Sequence, residues 1–241
     1  NFRGIPYHIE GAYQEYFMAK ELMVFPFGDS LSMEAASLAE PAACGYTAVE
    51  RSQLAPGETI AVVGTGTIGL MVILSAKLRS PAKIIALDPM PNRLQLAREL
   101  GATHTVNIRE IDPYEAVLDL TAGRGVDVAY YCAPTEDAWH LGGRILGSYG
   151  RLLIEATPPE GTRWTVPVLD FVPKVLSYIG ISGYNADHFA AALRLMESGQ
   201  INVASLITHQ FALEDYEQAL HMADQRKDAS VKVLLKIGPE N

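Results

Sequence analysis

Along the middle of the chain, short apolar runs alternate with stretches of helical spacing. Residues 59–63, 84–87, 103–106, 126–131 and 151–154 are runs of the length expected for buried strands. Between the second and third runs, Pro91 stands at a helix start, and residues 92–100 carry Leu94, Leu96, Ala97 and Leu100 before Gly101 stops the pattern. Further helices are predicted over 113–121 and 136–146, and a sixth strand over 175–181. Strands alternating with helices at this spacing predict parallel crossovers, hence a doubly wound, six-stranded α/β sheet.

The flanks are less regular. Residues 11–17 and 22–26 are short β-prone pieces, and capping residues ahead of an alanine-rich run predict a helix from near Ser32 toward Arg51, broken at Pro41. Pro56-Gly57 reads as a turn. Beyond Pro158-Pro159, a helix is expected over 188–197, an extended piece over 205–208, a helix over 213–223 and a strand over 231–236.

The first two runs frame the clearest motif. Gly64, Gly66 and Gly69 follow the first run in GxGxxG spacing, a helix-like segment comes next, and the second run closes on Asp88. A dinucleotide pyrophosphate needs unpaired backbone N–H groups at a helix start and no side chain in its way. Gly64 permits the tight turn, Gly66 lets the backbone touch phosphate, and Gly69 lets the helix lie close on the strand. Thr67 and Ile68 begin that helix, so their N–H groups are expected to face the pyrophosphate. Asp88, about 20 residues past the last glycine, is placed to accept from both hydroxyls of an adenosine ribose and to repel a 2′-phosphate, which predicts NAD over NADP. The six-stranded pattern with this motif reads as a Rossmann domain. An S-adenosylmethionine methyltransferase also uses a glycine-rich turn and an acidic residue ending the second strand, and a non-catalytic nucleotide-binding or sensor protein is a further alternative.

Composition narrows the partners. With 241 residues, 49% of them hydrophobic, the chain can bury a full core. A net charge of −9, from 19 basic and 28 acidic residues without a basic cluster, argues against nucleic-acid and anionic-membrane partners. Cys44 and Cys132 have no CxxC spacing, which suggests neither a disulfide framework nor a zinc ribbon and fits a reducing cytoplasm. Residues 1–6 lack the apolar core of a secretory signal. The uncharged stretch 59–76 is long enough to raise a membrane-span reading, but its glycine-broken first half and the prompt next strand favour strand followed by helix.

Several pieces in order, Gly11 to Tyr16, Ala39-Glu40-Pro41, Pro56-Gly57, Gly64 to Gly69, Asp88, Arg93, Gly101-Ala102, Gly125-Val126-Asp127, Gly150-Arg151-Leu152, Ile207-Thr208-His209 and Leu213-Glu214, span nearly the whole chain. In these the sequence resembles the zinc-type medium-chain dehydrogenases, the group with alcohol, sorbitol and threonine dehydrogenases. The resemblance implies an NAD-dependent oxidoreductase that transfers hydride between a small alcohol or polyol and nicotinamide, as a homodimer or homotetramer, with zinc polarising the alcohol oxygen in the complete enzyme. It implies that residues 1–40 are a remnant of a GroES-like, β-rich catalytic domain, 41–181 the NAD-binding domain, and 182–241 a segment packing back on the catalytic domain. Roughly a hundred or more residues that open other members have no counterpart here, including a Cys and a His-Glu pair for catalytic zinc and a four-cysteine lobe for structural zinc. With no initial Met, this implies a piece of a longer protein, inactive alone.

By the same resemblance, Glu40 takes a position that faces the catalytic metal, Arg93 one that contacts the adenosine ribose, and His209 a recurrent histidine. Plain readings stand beside these: an ordinary helix glutamate, a solvated helix arginine, and a histidine bonded within the fold. For Asp88 the plain reading is a solvated loop aspartate, and for both cysteines small buried apolar residues. His8, His104, His140, His188 and His221 share no metal-ligand spacing. The apolar run 166–181 reads as core or as subunit contact.

Overall fold

The computed structural model describes residues 11, 13–16, 18–225 and 229–238. The chain forms two compact units, Glu40–Tyr184, and Asn1–Ala39 together with Asn185–Asn241.

The first unit is built on β1 (Thr59–Val63), β2 (Lys83–Asp88), β3 (His104–Asn107), β4 (Val126–Tyr131), β5 (Leu146–Ile154) and β6 (Ser177–Gly180), in the spatial order β3-β2-β1-β4-β5-β6. Every neighbouring pair is parallel. The order reverses between β1 and β4, and a doubly wound sheet opens its binding crevice at the carboxyl ends of the strands there. Helices cover both faces, which is why the central strands are apolar at nearly every position instead of alternating.

On one face Ala61, Val63, Ile85, Leu87, Ala129, Tyr131 and Leu152 pack with Val117 of α5 (Pro113–Leu120) and with Ala138 and Leu141 of α6 (Glu136–Arg144). Alternation sends Ile60, Val62 and Tyr130 to the other face. There the buried Tyr130 hydroxyl lies 2.8 Å from the Ser52 hydroxyl at the end of α2 (Ala39–Ser52), a satisfied polar pair in an apolar layer. Helix α3 (Thr67–Lys77) is buried from Gly69 through Ala76, and so it is apolar all round. Its contact with α2 needs Gly45, since a Cβ there would stand 2.6 Å from the Met71 backbone. The sequence pattern does not single out this glycine, because only the helix crossing creates the demand. Helix α4 (Pro91–Leu100) ends at Gly101, whose φ is +129°.

Boundaries agree with the predicted ones within a few residues except at four places. Strand β5 starts at Leu146, ahead of the apolar run, and its register against β4 shifts between Val126 and Val128. The intervening Gly147-Ser148-Tyr149-Gly150 reads as loop in sequence, and Tyr149 is indeed left-handed at φ +62°. Helix α2 is not broken by Pro41, which falls in its first turn, where an N–H has no intrahelical acceptor anyway. The interruption lies just ahead, after α1 (Met33–Ala36), which Ser32 caps by accepting from the Ala35 N–H at 3.1 Å. A short α7 (Val168–Phe171) forms where no helix is read.

The fourth difference lies in the second unit. The β-prone pieces near its start form no strand among the described residues, and Glu21–Met23 is a 3-10 turn. Lone extended segments have no neighbour to take up their N–H and C=O groups. Ala12, Phe17 and His8 lie outside the described residues. From its later part come α8 (Ala186–Glu197), with Asn185 capping the His188 N–H, β7 (Ile207–Ala212), α9 (Tyr216–Gln225) and β8 (Lys232–Lys236). β7 and β8 pair in parallel, with α9 as their crossover.

Candidate functional site

The turn between β1 and α3 gives its three glycines three different reasons. At Gly64 φ is +97°, and a Cβ would lie 2.7 Å from the Ala133 Cβ, so backbone conformation and packing both require glycine. At Gly69 a Cβ would sit 2.0 Å from the Gly64 carbonyl oxygen and 3.1 Å from Val62 Cγ1, so α3 reaches β1 only without a side chain. Gly66 differs from both. Its φ and ψ, −69° and −172°, suit any residue, and the nearest atom to an added Cβ is Arg93 Nη1 at 3.8 Å. Nothing within the fold demands glycine at position 66, and the space in front of it is open.

Gly66 is also the N-cap of α3, without a side-chain cap. A helix start leaves its first N–H groups without intrahelical acceptors and carries positive dipole charge. Gly66, Thr67 and Ile68 are partly exposed there between buried neighbours. The Thr65 hydroxyl is buried without a partner among the described residues.

Asp88 ends β2 beside this turn, at 3% exposure. Its Oδ2 accepts from the Thr65 N–H at 2.8 Å and its Oδ1 from the Met90 N–H at 2.9 Å. The solvated-aspartate reading is therefore wrong: the carboxylate fastens the glycine turn to the start of α4. Each oxygen accepts more than one bond, so ribose hydroxyls still have lone pairs to meet. Arg93, on the first turn of α4, brings its guanidinium beside Gly66.

A second group of residues gathers at the carboxyl ends of β4 and β5. Cys132 follows β4 and its N–H donates to the Val63 carbonyl at 2.9 Å; Glu155 follows β5 and its N–H donates to the Tyr131 carbonyl at 3.1 Å. From α2, the Cys44 thiol lies 3.7 Å from Glu40 Oε1. Burial, and then the Glu40 and Glu155 charges, push the Cys44 thiol up to about 12, and burial raises Cys132 as well. Cys44 is thus a protonated thiol leaning on a carboxylate, not only an apolar filler. The sequence pattern does not single out Glu155, although it directly follows a strand. Burial raises it to about 7, and its Oε1 is buried without a hydrogen-bond partner among the described residues.

Other features lie elsewhere. A cavity of about 860 Å³ opens at the opposite edge of the sheet, lined by residues at strand starts such as Thr59 and Lys83. Its lysines are engaged with backbone carbonyls at element ends, Lys83 with Leu120 at the end of α5 and Lys174 with Leu146 at the start of β5, so they serve the fold. His209 on β7 meets the Thr208 hydroxyl at 3.0 Å and His104 the Thr103 hydroxyl at 2.9 Å, both local contacts. The run 166–181 divides: Leu176 is buried, whereas Val168 and Leu169 are 67% and 88% exposed.

The sequence profile described as zinc-binding dehydrogenase matches residues 67–198, more than half of the chain. The chain belongs to the zinc-binding dehydrogenases. It is 35% identical to a sorbitol dehydrogenase of Bacillus subtilis (strain 168), over 94% of this chain and 64% of that protein. An erythritol/L-threitol dehydrogenase of Mycolicibacterium smegmatis is 33% identical, over 93% of the chain and 62% of its own length. Among solved structures, 2R,3R-butanediol dehydrogenase from Bacillus subtilis superposes with a TM-score of 0.80 at 32% identity, covering 90% of this chain and 60% of that one. A structure from Sinorhizobium meliloti 1021, described as a zinc-binding dehydrogenase bound to NADP, gives 0.82 at 26% identity, covering 88% and 61%. The chain thus spans somewhat less than two thirds of the length of these relatives.

Catalytic zinc takes three protein ligands and an open position. Among the described residues no three His, Cys, Asp or Glu side chains come together to hold a metal, and Glu40 with Cys44 makes two. These residues do not form a zinc site by themselves. No helix among the described residues is long and apolar enough to cross a membrane.

Proposed function

We propose that this chain is the cofactor-binding part of an NAD-dependent zinc alcohol or polyol dehydrogenase. The observation that carries the reading is Gly66, a glycine that neither backbone nor packing requires, at an uncapped helix start on the carboxyl edge of a 3-2-1-4-5-6 sheet. A pyrophosphate approaching the N–H groups of Gly66, Thr67 and Ile68 supplies the missing reason. Gly64 and Gly69 shape that turn, Asp88 receives the ribose hydroxyls, and the Arg93 guanidinium beside Gly66 adds positive charge where the phosphates arrive. The nicotinamide, when bound, supplies the hydride acceptor; the chain's residues hold and orient it. A 2′-phosphate on the ribose would meet the buried Asp88 carboxylate, which favours NAD over NADP.

Relatives that act on sorbitol, erythritol, threitol and threonine support an alcohol or polyol substrate for the complete protein. The contact of Cys44 with Glu40 supports a role for the pair beside the metal of the complete protein, which would need further ligands. Residues 1–40 and 182–241 then belong with that catalytic domain. Two copies pair through the free edge of β6 and the exposed Val168 and Leu169. Two free cysteines fit a reducing compartment such as the cytoplasm. A non-catalytic nucleotide-binding protein shares the turn but shows no alcohol oxidation in the natural gene product.

Isothermal titration of that gene product with NAD and NADP tests the reading. NAD is expected to bind at least about tenfold tighter, a difference of about 1.4 kcal/mol. Equal affinities remove the role of Asp88 in selection, and absence of binding to either removes the cofactor assignment.

A further inference from the structure

Three successive strand ends stand side by side on the carboxyl edge: Gly64 after β1, Cys132 after β4 and Glu155 after β5. They are tied laterally by the Cys132 N–H to the Val63 carbonyl at 2.9 Å and by the Glu155 and Ala156 N–H groups to the Tyr131 carbonyl at 3.1 and 3.0 Å. Neighbouring strands are about 4.8 Å apart, so Glu155 lies roughly 10 Å from the glycine turn, on the side away from Asp88. A dinucleotide anchored by its pyrophosphate at Gly66 and by its adenosine ribose at Asp88 extends its other nucleoside in that direction.

We propose that the Glu155 carboxylate lies against the nicotinamide half of the bound dinucleotide and favours the oxidised, positively charged ring over the reduced, neutral one. The inference rests on the cofactor reading above. Oε1 of Glu155 is buried and unpartnered among the described residues, although a buried carboxylate oxygen without a donor is costly. The groups that face it, Cys132 from β4 and Cys44 from α2, offer thiols and no cation, and the Glu40 carboxylate stands behind Cys44. Within its own unit the carboxylate is therefore uncompensated, and a pyridinium cation is a partner of the sign and place it lacks. Burial has already raised Glu155 to about 7, so above that pH the charge is present and strongly felt. The carboxamide NH2 of the ring is a second donor that Oε1 can accept, in either redox state.

The test is equilibrium binding of NAD, NADH and ADP-ribose to the natural gene product and to its Glu155→Gln variant at pH 8. ADP-ribose keeps the adenosine and pyrophosphate and lacks the ring. The variant is expected to lose roughly tenfold in affinity for NAD, the scale of two unit charges within about 10 Å in a protein, with NADH and ADP-ribose changed less than about twofold. A Glu155→Asp variant, which keeps the charge, is expected to retain most of the preference. An equal loss for all three ligands, or no change in the NAD to NADH ratio, overturns the role of Glu155 and leaves the cofactor site standing. Failure of the wild-type protein to bind ADP-ribose or NAD overturns both.

Discussion

Replacing the three motif glycines with alanine one at a time separates what the fold needs from what a ligand needs. At Gly69 the new Cβ meets the Gly64 carbonyl oxygen at 2.0 Å, a collision with backbone and not with a flexible side chain, so α3 must move off β1. Overpacking of this kind costs about 1–3 kcal/mol and sometimes more. At Gly64 a left-handed φ of +97° adds about 1–2 kcal/mol to the collision with Ala133. At Gly66 the nearest atom is the tip of a flexible arginine at 3.8 Å and the backbone is ordinary. Alanine there is a poorer N-cap than glycine, but it lowers the entropy of the unfolded chain by about 0.4–1 kcal/mol, and the two effects nearly cancel.

Gly66→Ala is therefore expected to stay within about 1 kcal/mol of wild type in urea denaturation while losing at least about tenfold in NAD affinity by titration calorimetry. Gly69→Ala and Gly64→Ala are expected to lose about 2 kcal/mol or more of stability, a large part of the 5–15 kcal/mol typical of a domain. Their binding falls only in step with unfolding. A Gly66→Ala protein that is stable and binds NAD normally would refute the reasoning, and so would one destabilised as much as Gly69→Ala, since either outcome gives Gly66 a role other than phosphate approach.

Two further outcomes follow from single residues. Because Glu155 holds its proton more tightly in the folded chain than at its ordinary value of 4.5, the folded state binds the extra proton between that pH and about 7, and stability falls as pH rises through this window. The loss reaches at most about 3 kcal/mol above pH 7 and is absent below 4.5, so Glu155→Gln is expected to gain on wild type between pH 5 and pH 8 in urea melts; a constant difference would mean the carboxylate is not desolvated. Leu169→Asp, at an 88% exposed position, is expected to shift sedimentation from dimer to monomer with less than about 0.5 kcal/mol change in monomer stability; a wild-type protein that sediments as a monomer removes the subunit-contact reading of that surface.

Much of the central sheet is legible in the sequence because burial on both faces makes the central strands largely apolar, and β1 and β4 are read with the bounds they have in the structure. The reading falters where a neighbour in space, not the local pattern, decides. Leu146 to Gly150 joins β5 only because β4 offers an edge, Gly45 matters only because α2 crosses α3, and residues 22–26 carry strand propensity but form no strand. At the site, the glycine spacing identifies the turn, but it does not reveal that Asp88 holds that turn through the Thr65 and Met90 N–H groups. Nor does an isolated glutamate after a strand announce itself, since its meaning comes from which strand end stands beside it.

That dependence on strand ends also explains why the proposed binding edge and the 860 Å³ cavity do not coincide. In a parallel sheet every strand delivers its last residue to the same edge, so Asp88, Gly64, Cys132 and Glu155 form one row across β2, β1, β4 and β5. The crossovers return the chain to the opposite edge, where the carbonyls of Leu120 at the end of α5 and Leu146 at the start of β5 need donors, and Lys83 and Lys174 supply them. Cations at the return edge are consumed by the backbone, whereas at the delivery edge the helix start at Gly66 is uncapped and the Glu155 oxygen is unpaired. Positive dipole charge within the row, at the helix start after β1, and an uncompensated carboxylate at its β5 end match a ligand with an anionic middle and a cationic ring. A cavity's volume carries no such polarity, which is why the row, and not the cavity, supports the proposed cofactor site.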